Sequence, residues 1–526
     1  MHRIWGIREV IRTIATHLDS DTSISHLAQV SRICFECAAP VLWNELEDGD
    51  LENAFRLLFV NWGQHATSLT TPSSCKRFIE YTSHIHYLRF KGNHNWTADS
   101  HSYLAARIQV AAGLLSDKKK SWFPHLRQLH IADPSRAEGL VSALHFVVPS
   151  LTELHLKLPY PDKQHVSHTW NLVVATLLHR ACKNLPGLRA LSLTGLALSL
   201  HQDCQARLIP LLSERQPCSL RLSIVTFNNS IAEAASKMPS LQRLSLEERD
   251  EIEADSPVEL SKCSRAAPLV SRRFSALKEL LVRGRPTAVE SVLRSIDASL
   301  DHLEIVLLSD HEEDPEQVTE QHYLNIANLV AERFPHLTNF TFRAELAAED
   351  THLKFSYLKP LRRCSDITRL DVSSKHYDLE IDDEDIHALT QSWHSLQHLS
   401  LTDESNGDVH PGMKRLSWRS FVSLREHCPN LVGITLSSFD ASQPLPFPLV
   451  SSGPPLSLSI LVSPYLPDHF AYKVALFLSS LWPEISIQCG VKSKEWNMMK
   501  FLNDFTIDRS DWIRLKEEKQ ASLSNL

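Results

Sequence analysis

The chain has 526 residues, 43% of them hydrophobic and 22% charged, with a formal net charge of −8. That length exceeds what one compact core supports, so several domains or an extended repeat array are expected. The mild acidity gives no reason to expect a nucleic-acid partner. With only 14 glycines, a fold built on glycine-rich phosphate loops is not expected.

In chain order, the first segment is helical. Ile7, Val10, Ile11, Ile14 and Leu18 fall on one face of a helix within Ile7–Leu18, the spacing of a half-buried amphipathic element. Ser23–Leu46 continues with Ile24, Leu27 and Val30 on a second short helix. Phe35, Val41, Leu42 and Trp43 lie near a third. Arg3, Arg8, Glu9 and Arg12 interrupt Met1–Leu18, so it lacks the unbroken apolar stretch of a secretory signal. No run of about 18 apolar residues occurs, which predicts no membrane span. The ten cysteines are scattered, as in proteins of a reducing compartment, here the cytoplasm or nucleus. Cys34 and Cys37 form a Cys-x-x-Cys with no second pair or His-x-x-x-His nearby. Packing inside a helix is therefore expected, and no metal or cofactor is.

From about residue 75 one spacing recurs: apolar, two residues, apolar, one residue, apolar. It occurs at Ile85, Leu88 and Phe90, at Leu126, Leu129 and Ile131, and at Leu151, Leu154 and Leu156. Leu188, Leu191 and Leu193 follow, then Leu241, Leu244 and Leu246, Leu277, Leu280 and Val282, and Leu300, Leu303 and Ile305. Leu337, Phe340 and Phe342 come next, then Ile367, Leu370 and Val372, Leu396, Leu399 and Leu401, and Leu431, Ile434 and Leu436. Weaker versions begin at Cys218, Leu456 and Trp482. The last pair of each match alternates at period 2, as a half-buried strand does.

Many matches are preceded by apolar–Pro–x–Leu: Phe123–Leu126, Val148–Leu151, Leu185–Leu188, Met238–Leu241, Phe334–Leu337 and Cys428–Leu431. Upstream lie helix faces such as Trp170, Val173, Val174, Leu177, Leu178 and Ala181, or Tyr323, Ile326, Ala327, Val330 and Phe334. Proline stops such a helix, because it has no N–H to donate and disfavours helical geometry in the residue before it. The unit is thus helix, proline stop, short strand. One unit alone cannot bury its strand face, but stacked units share a core.

This unit resembles the leucine-rich repeat in its long, irregular helical form, over roughly residues 75–490. The family's Asn or Cys after the strand is mostly missing. The resemblance implies an α/β repeat solenoid of about twelve irregular repeats, with parallel strands on the concave face and helices on the convex face. The N-terminal segment resembles an F-box. The pattern I-P-E-I-L, then L-A-x-V-C-R-x-W, then L-W is similar to Ile7–Ile11, Leu27–Cys34 and Leu42–Trp43, in that order. Arg8 stands at the family's Pro and Cys34 at its Trp. Fungal F-box proteins carry repeats of this kind after the F-box.

The resemblance implies an F-box-like domain over 1–60, the solenoid over 75–490, and capping helices over 491–526. It implies a non-catalytic receptor that docks on the Skp-type adaptor and cullin scaffold of a ubiquitin ligase and holds a protein substrate for degradation. Ile7, Val10, Ile11, Leu27, Val30, Leu42 and Trp43 would meet the adaptor. The outward neighbours of the strand pairs would meet the substrate: Gln128, His130, Glu153, His155, Arg243, Ser245, Thr341, Arg343, Arg369, Asp371, His398, Ser400 and Thr435. That set is polar and mixed in sign, which suits a protein or peptide more than a deep small-molecule site. The plainer alternative is a three-helix cap on a repeat scaffold with no link to ubiquitin.

No Walker loop, G-x-S-x-G elbow, H-E-x-x-H or dinucleotide fingerprint occurs in the chain, so no enzyme is expected. The acidic runs Glu247–Asp255 and Asp310–Glu316 read as solvated loops, or alternatively as an acidic rim that would favour a basic partner. Asp382–Asp385 reads as the start of a helix, where negative charge meets the positive end of the dipole. Gln443–Pro455 is proline-rich and reads as a long loop. Trp496, Met499, Phe501, Leu502, Phe505, Trp512 and Leu515 suggest helices closing the far end.

Overall fold

The computed structural model describes residues 7–47, 72–91, 122–132, 137–158, 168–194, 202–248, 269–308, 319–345, 353–375, 379–403, 416–437, 455–460, 477–478, 480–482 and 485–489. The expected closing helices over 491–526 lie outside these residues. So do the acidic run Asp310–Glu316, most of Glu247–Asp255 and nearly all of Gln443–Pro455. The chain divides into two compact units, Met1–Arg249 with Ser256–Leu277 and Asp250–Asp255 with Lys278–Leu526.

The first unit opens with three helices, α1 (Arg8–Thr16), α2 (Asp21–Val30) and α3 (Arg32–Leu42). Ser20 and Ser31 cap the second and third, their side chains accepting from the N–H groups of Ser23 and Cys34. The helices close a small core of Ile11, Ala15, Ile24, Leu27, Cys34, Cys37 and Ala38. Parallel strands then follow one another in chain order: β1 (Glu45–Glu47), β2 (Tyr87–Lys91), β3 (Gln128–Ala132), β4 (Glu153–Lys157), β5 (Ala190–Thr194), β6 (Ser219–Ser223) and β7 (Arg243–Glu247). Helices α4 (Pro72–Thr82), α5 (Ala137–Ala143), α6 (His168–Asn184), α7 (Gln202–Arg215) and α8 (Asn229–Ser236) lie in the connections, and α5 to α8 pack each against the next.

The second unit repeats this plan. Its parallel strands are β8 (Glu279–Gly284), β9 (His302–Leu308), β10 (Asn339–Glu345), β11 (Arg369–Ser374), β12 (His398–Asp403), β13 (Gly433–Leu436), β14 (Leu456–Ile460) and β15 (Ile485–Cys489). The connecting helices are α9 (Pro286–Ser295), α10 (Glu320–Arg333), α11 (Asp383–Thr390) and α12 (Trp418–His427). Between β10 and β11 the connection is a 3-10 helix, Phe355–Arg363, with Pro360 inside it. Leu353–Lys354 and Leu379–Glu380 form a small parallel pair of their own.

The architecture is therefore α/β, with large parallel sheets and helices. The predicted inward pairs, among them Leu129 and Ile131, Leu154 and Leu156, and Phe340 and Phe342, are all buried. So are the predicted helix faces, from Val173 to Ala181 and from Tyr323 to Phe334. Asp382 caps α11, accepting from the N–H of Asp385, as its acidic run predicts.

The proline motif has a plain geometric role. Its Leu N–H donates to the carbonyl three residues back: Leu126 to Phe123 at 3.3 Å, Leu151 to Val148 at 3.0 Å, and Leu431 to Cys428 at 3.2 Å. That is a tight turn leading into the strand. A second device joins each strand to the one before it. One carbonyl accepts two successive N–H groups from the next strand's entry: Thr152 and Glu153 donate to Arg127, Thr368 and Arg369 to Thr338, and Gln397 and His398 to Thr368. Threonine hydroxyls add a third donor, Thr152 to Arg127 at 3.1 Å, Thr338 to Asp301 at 2.7 Å and Thr368 to Thr338 at 3.1 Å.

Candidate interaction surfaces

The polar face of each sheet is a set of rows fixed by register. In the first unit, one row runs Glu47, Arg89, His130, His155, Ser192, Arg221, Ser245 across adjacent strands. A neighbouring row contains Tyr87, Gln128 and Glu153, and Arg243 lies further along it. In the second unit, Glu304, Thr341, Asp371, Ser400 and Thr435 form one row. His302, Asn339, Arg369, His398 and Gly433 form another.

The sequence-predicted face residues thus share one side of their sheets. One of them is covered: Thr341 is 8% exposed. Its neighbours explain why, because Arg343 leans diagonally to Glu304 at 3.6 Å beside it. Arg283 likewise reaches past the intervening strand to Glu345 at 2.9 Å. Val306, on the outward row between them, is buried. Long charged side chains here lie flat and shield apolar surface. In the first unit Arg221 pairs with Glu247 at 2.6 Å, and Arg89 with Glu47 at 3.8 Å. Sequence reasoning missed these partners, although each stands on a row that register alignment of the strands defines.

His130 lies in a stack of rings. Its centroid is 4.0 Å from that of His155, with 24° between the planes, and 5.2 Å from that of Tyr87. Burial, the neighbouring His155 and the Arg89 charge lower its pKa to about 4. Burial also lowers that of His155, against the opposing pull of Glu153, whose carboxylate is 3.4 Å from its Nε2. Both imidazoles are therefore neutral at pH 7. The sequence marked these histidines as strand residues between inward positions, and parallel register makes them neighbours. Among the described residues, no group of three His, Cys, Asp or Glu side chains is placed to hold a metal ion, and no helix is long and apolar enough to cross a membrane.

The seven residues expected to meet an adaptor divide into three sets. Ile11 and Leu27 are 0% and 7% exposed and fill the three-helix core. Val10, Leu42 and Trp43 are half-buried. The indole of Trp43 stacks on Tyr81 of α4, centroids 4.9 Å apart and planes 7° from parallel. Ile7 and Val30 are 47% and 50% exposed. Arg8 occupies the first position of α1 and pairs with Glu36 of α3 at 2.8 Å. Cys34 is buried and Cys37 donates to the Arg8 carbonyl at 3.5 Å, so this Cys-x-x-Cys packs the core. The carbonyl of Asn44 accepts from the N–H groups of both His86 and Tyr87, which ties the helical segment to the first repeats.

The chain matches no protein-family model and no curated protein sequence.

Proposed function

We propose that the chain is a non-catalytic receptor of the F-box and leucine-rich-repeat kind. In this reading the N-terminal helices bind a Skp-type adaptor of a cullin ubiquitin ligase, in the cytoplasm or nucleus. The polar sheet faces bind a protein substrate, and no cofactor takes part. One observation carries the reading: a three-helix segment with its own core precedes parallel repeats whose outward side chains are polar and mixed in sign. The motif order of the N-terminal segment and the proline-stopped repeat unit support it as well.

The adaptor contact reduces to the apolar side chains that the helices leave outside, chiefly Ile7 and Val30. The test is co-expression of the full-length chain with a Skp-type adaptor. A stoichiometric complex is expected. Ile7→Asp with Val30→Asp should abolish it while leaving thermal stability within about 0.5 kcal/mol of wild type, as expected for exposed positions. Failure of the wild-type chain to form any complex would sink the ubiquitin-ligase reading.

A second reading has an observation of its own. The Trp43–Tyr81 stack and the Asn44 carbonyl suit a cap that shields the first strands of a scaffold. An open repeat end needs such a cover. Under this reading the Asp double variant changes neither partner binding nor partner half-life.

A further inference from the structure

Arginines that face outward from the strands are almost all engaged. Arg89 pairs with Glu47, Arg221 with Glu247, Arg283 with Glu345 and Arg343 with Glu304. Arg243 is likewise in contact with a partner. Among the described arginines on the outward rows of the large parallel sheets, Arg369 is the exception. It is exposed, and its guanidinium has no ion pair or hydrogen bond among the described residues. A strand arginine gains by pairing with a carboxylate, and Asp371, two residues along the same strand face, makes no ion pair with it.

Two side chains with N–H groups flank Arg369, one of them the amide of Asn339, which also donates to the Thr338 hydroxyl at 3.2 Å. Register puts Asn339 on one side of it and His398 on the other, each about 4.8 Å away along the row. His398 is exposed and lies over Gly433, where an added Cβ would come within 2.6 Å of its Nδ1. The backbone N–H groups of these strands are spent on the ladder between them. An anion here must therefore be held by side chains, and the guanidinium fork matches a carboxylate in a bidentate way. Asp371 stands two residues further along the same strand face, with Ser400 beside it in register. Its negative charge opposes a phosphate dianion more than a single carboxylate. Asp371 and Ser400 can also accept from the N–H groups of an extended chain lying across the row.

We propose that Arg369, with Asn339 and His398 beside it, holds the carboxylate of an aspartate or glutamate in an extended segment of a partner protein. This rests on reading the sheet face as the partner-binding surface, and it names the chemistry that surface selects.

The experiment uses the full-length protein, immobilised, and four synthetic peptide libraries of equal length with random flanks. Their central residue is fixed as Glu, Gln, phosphoserine or Lys. Wild type should retain the Glu library about tenfold more than the Gln library, as expected for one charge-assisted pair. Arg369→Gln should abolish that preference. Arg207→Gln, an exposed arginine on α7 away from the sheets, should leave it intact. Stronger retention of phosphoserine than of Glu overturns the proposal in favour of a phosphate site. Equal retention of the Glu and Gln libraries, or a preference that survives Arg369→Gln, overturns it while leaving the face as a peptide surface. If no library is retained, both the proposal and the reading of the face fall together.

Discussion

His130 is held between two rings, and that position has a thermodynamic consequence. Its folded pKa is about 4, and its ordinary value is 6.5. Burial sets this first, followed by the neighbouring His155 and Arg89, while Tyr87 packs against its ring and Glu153 and Arg221 act on His155. The unfolded chain takes up a proton as the pH falls through 6.5, and the folded chain does not until about 4. The stability this group contributes is therefore full above pH 6.5 and drains away as the pH falls toward 4. Hydrogen exchange should show strands β2–β4 losing protection over that window, and His130→Gln should flatten the profile. A wild-type profile that does not change between pH 7 and 5 would refute the assignment. Asp383 gives a second residue-scale prediction. Its carboxylate accepts from the N–H of Ser417 at 2.8 Å and from the hydroxyls of Ser417 and Ser420, each at 2.5 Å. It thereby pins the start of α12. Asp383→Ala should cost about 2 kcal/mol in chemical denaturation, since it leaves buried donors without an acceptor.

At the scale of elements, the strands and the proline-stopped helices were legible because their signals are local. Leu129 and Ile131 alternate with Gln128 and His130, and burial follows that alternation. Leu151→Ala removes a fully buried side chain at the turn between Pro149 and β4. It should lower stability by about 2–5 kcal/mol, measured by urea unfolding. The joining bonds between strands were not legible. A threonine such as Thr338 looks like any polar turn residue, and only register reveals that its hydroxyl meets the Asp301 carbonyl. Nor was the role of Trp43 legible, because Tyr81 is distant in sequence and nothing local announces the stack. Trp43→Ala should cost about 2–3 kcal/mol, from lost burial and ring contact together. A change under about 0.5 kcal/mol would mean that the helical segment is held by other contacts.

At the scale of the molecule, the predicted adaptor surface shows how far a motif reaches. Ile11 and Leu27, two of the residues expected to meet an adaptor, lie inside because helices of this size need apolar side chains there, whatever the segment binds. Matching such positions tests the fold of the segment more than its partner. The exposed Ile7 and Val30 are the positions that discriminate. The face residues behave in the opposite way. Their positions were readable from strand alternation, but which of them are already neutralised depends on diagonal pairs such as Arg343 with Glu304, and those appear only when strands are laid side by side.

The single carbonyl that receives each strand entry also bears on how a gene for such a chain can change length. Thr338 accepts from Thr368 and Arg369, and Thr368 accepts in the same way from Gln397 and His398. Excision of residues 368–396 would join Ile367 to Gln397 and hand the Thr338 carbonyl an equivalent pair of donors, with every strand face kept in phase. Loss of a single residue within β11 would instead turn its apolar side outward. Recombination that removes or duplicates whole repeats should therefore yield folded chains, and frame-preserving deletions of one codon inside a strand should not. Circular dichroism of the two deletion variants, purified side by side, would separate these outcomes.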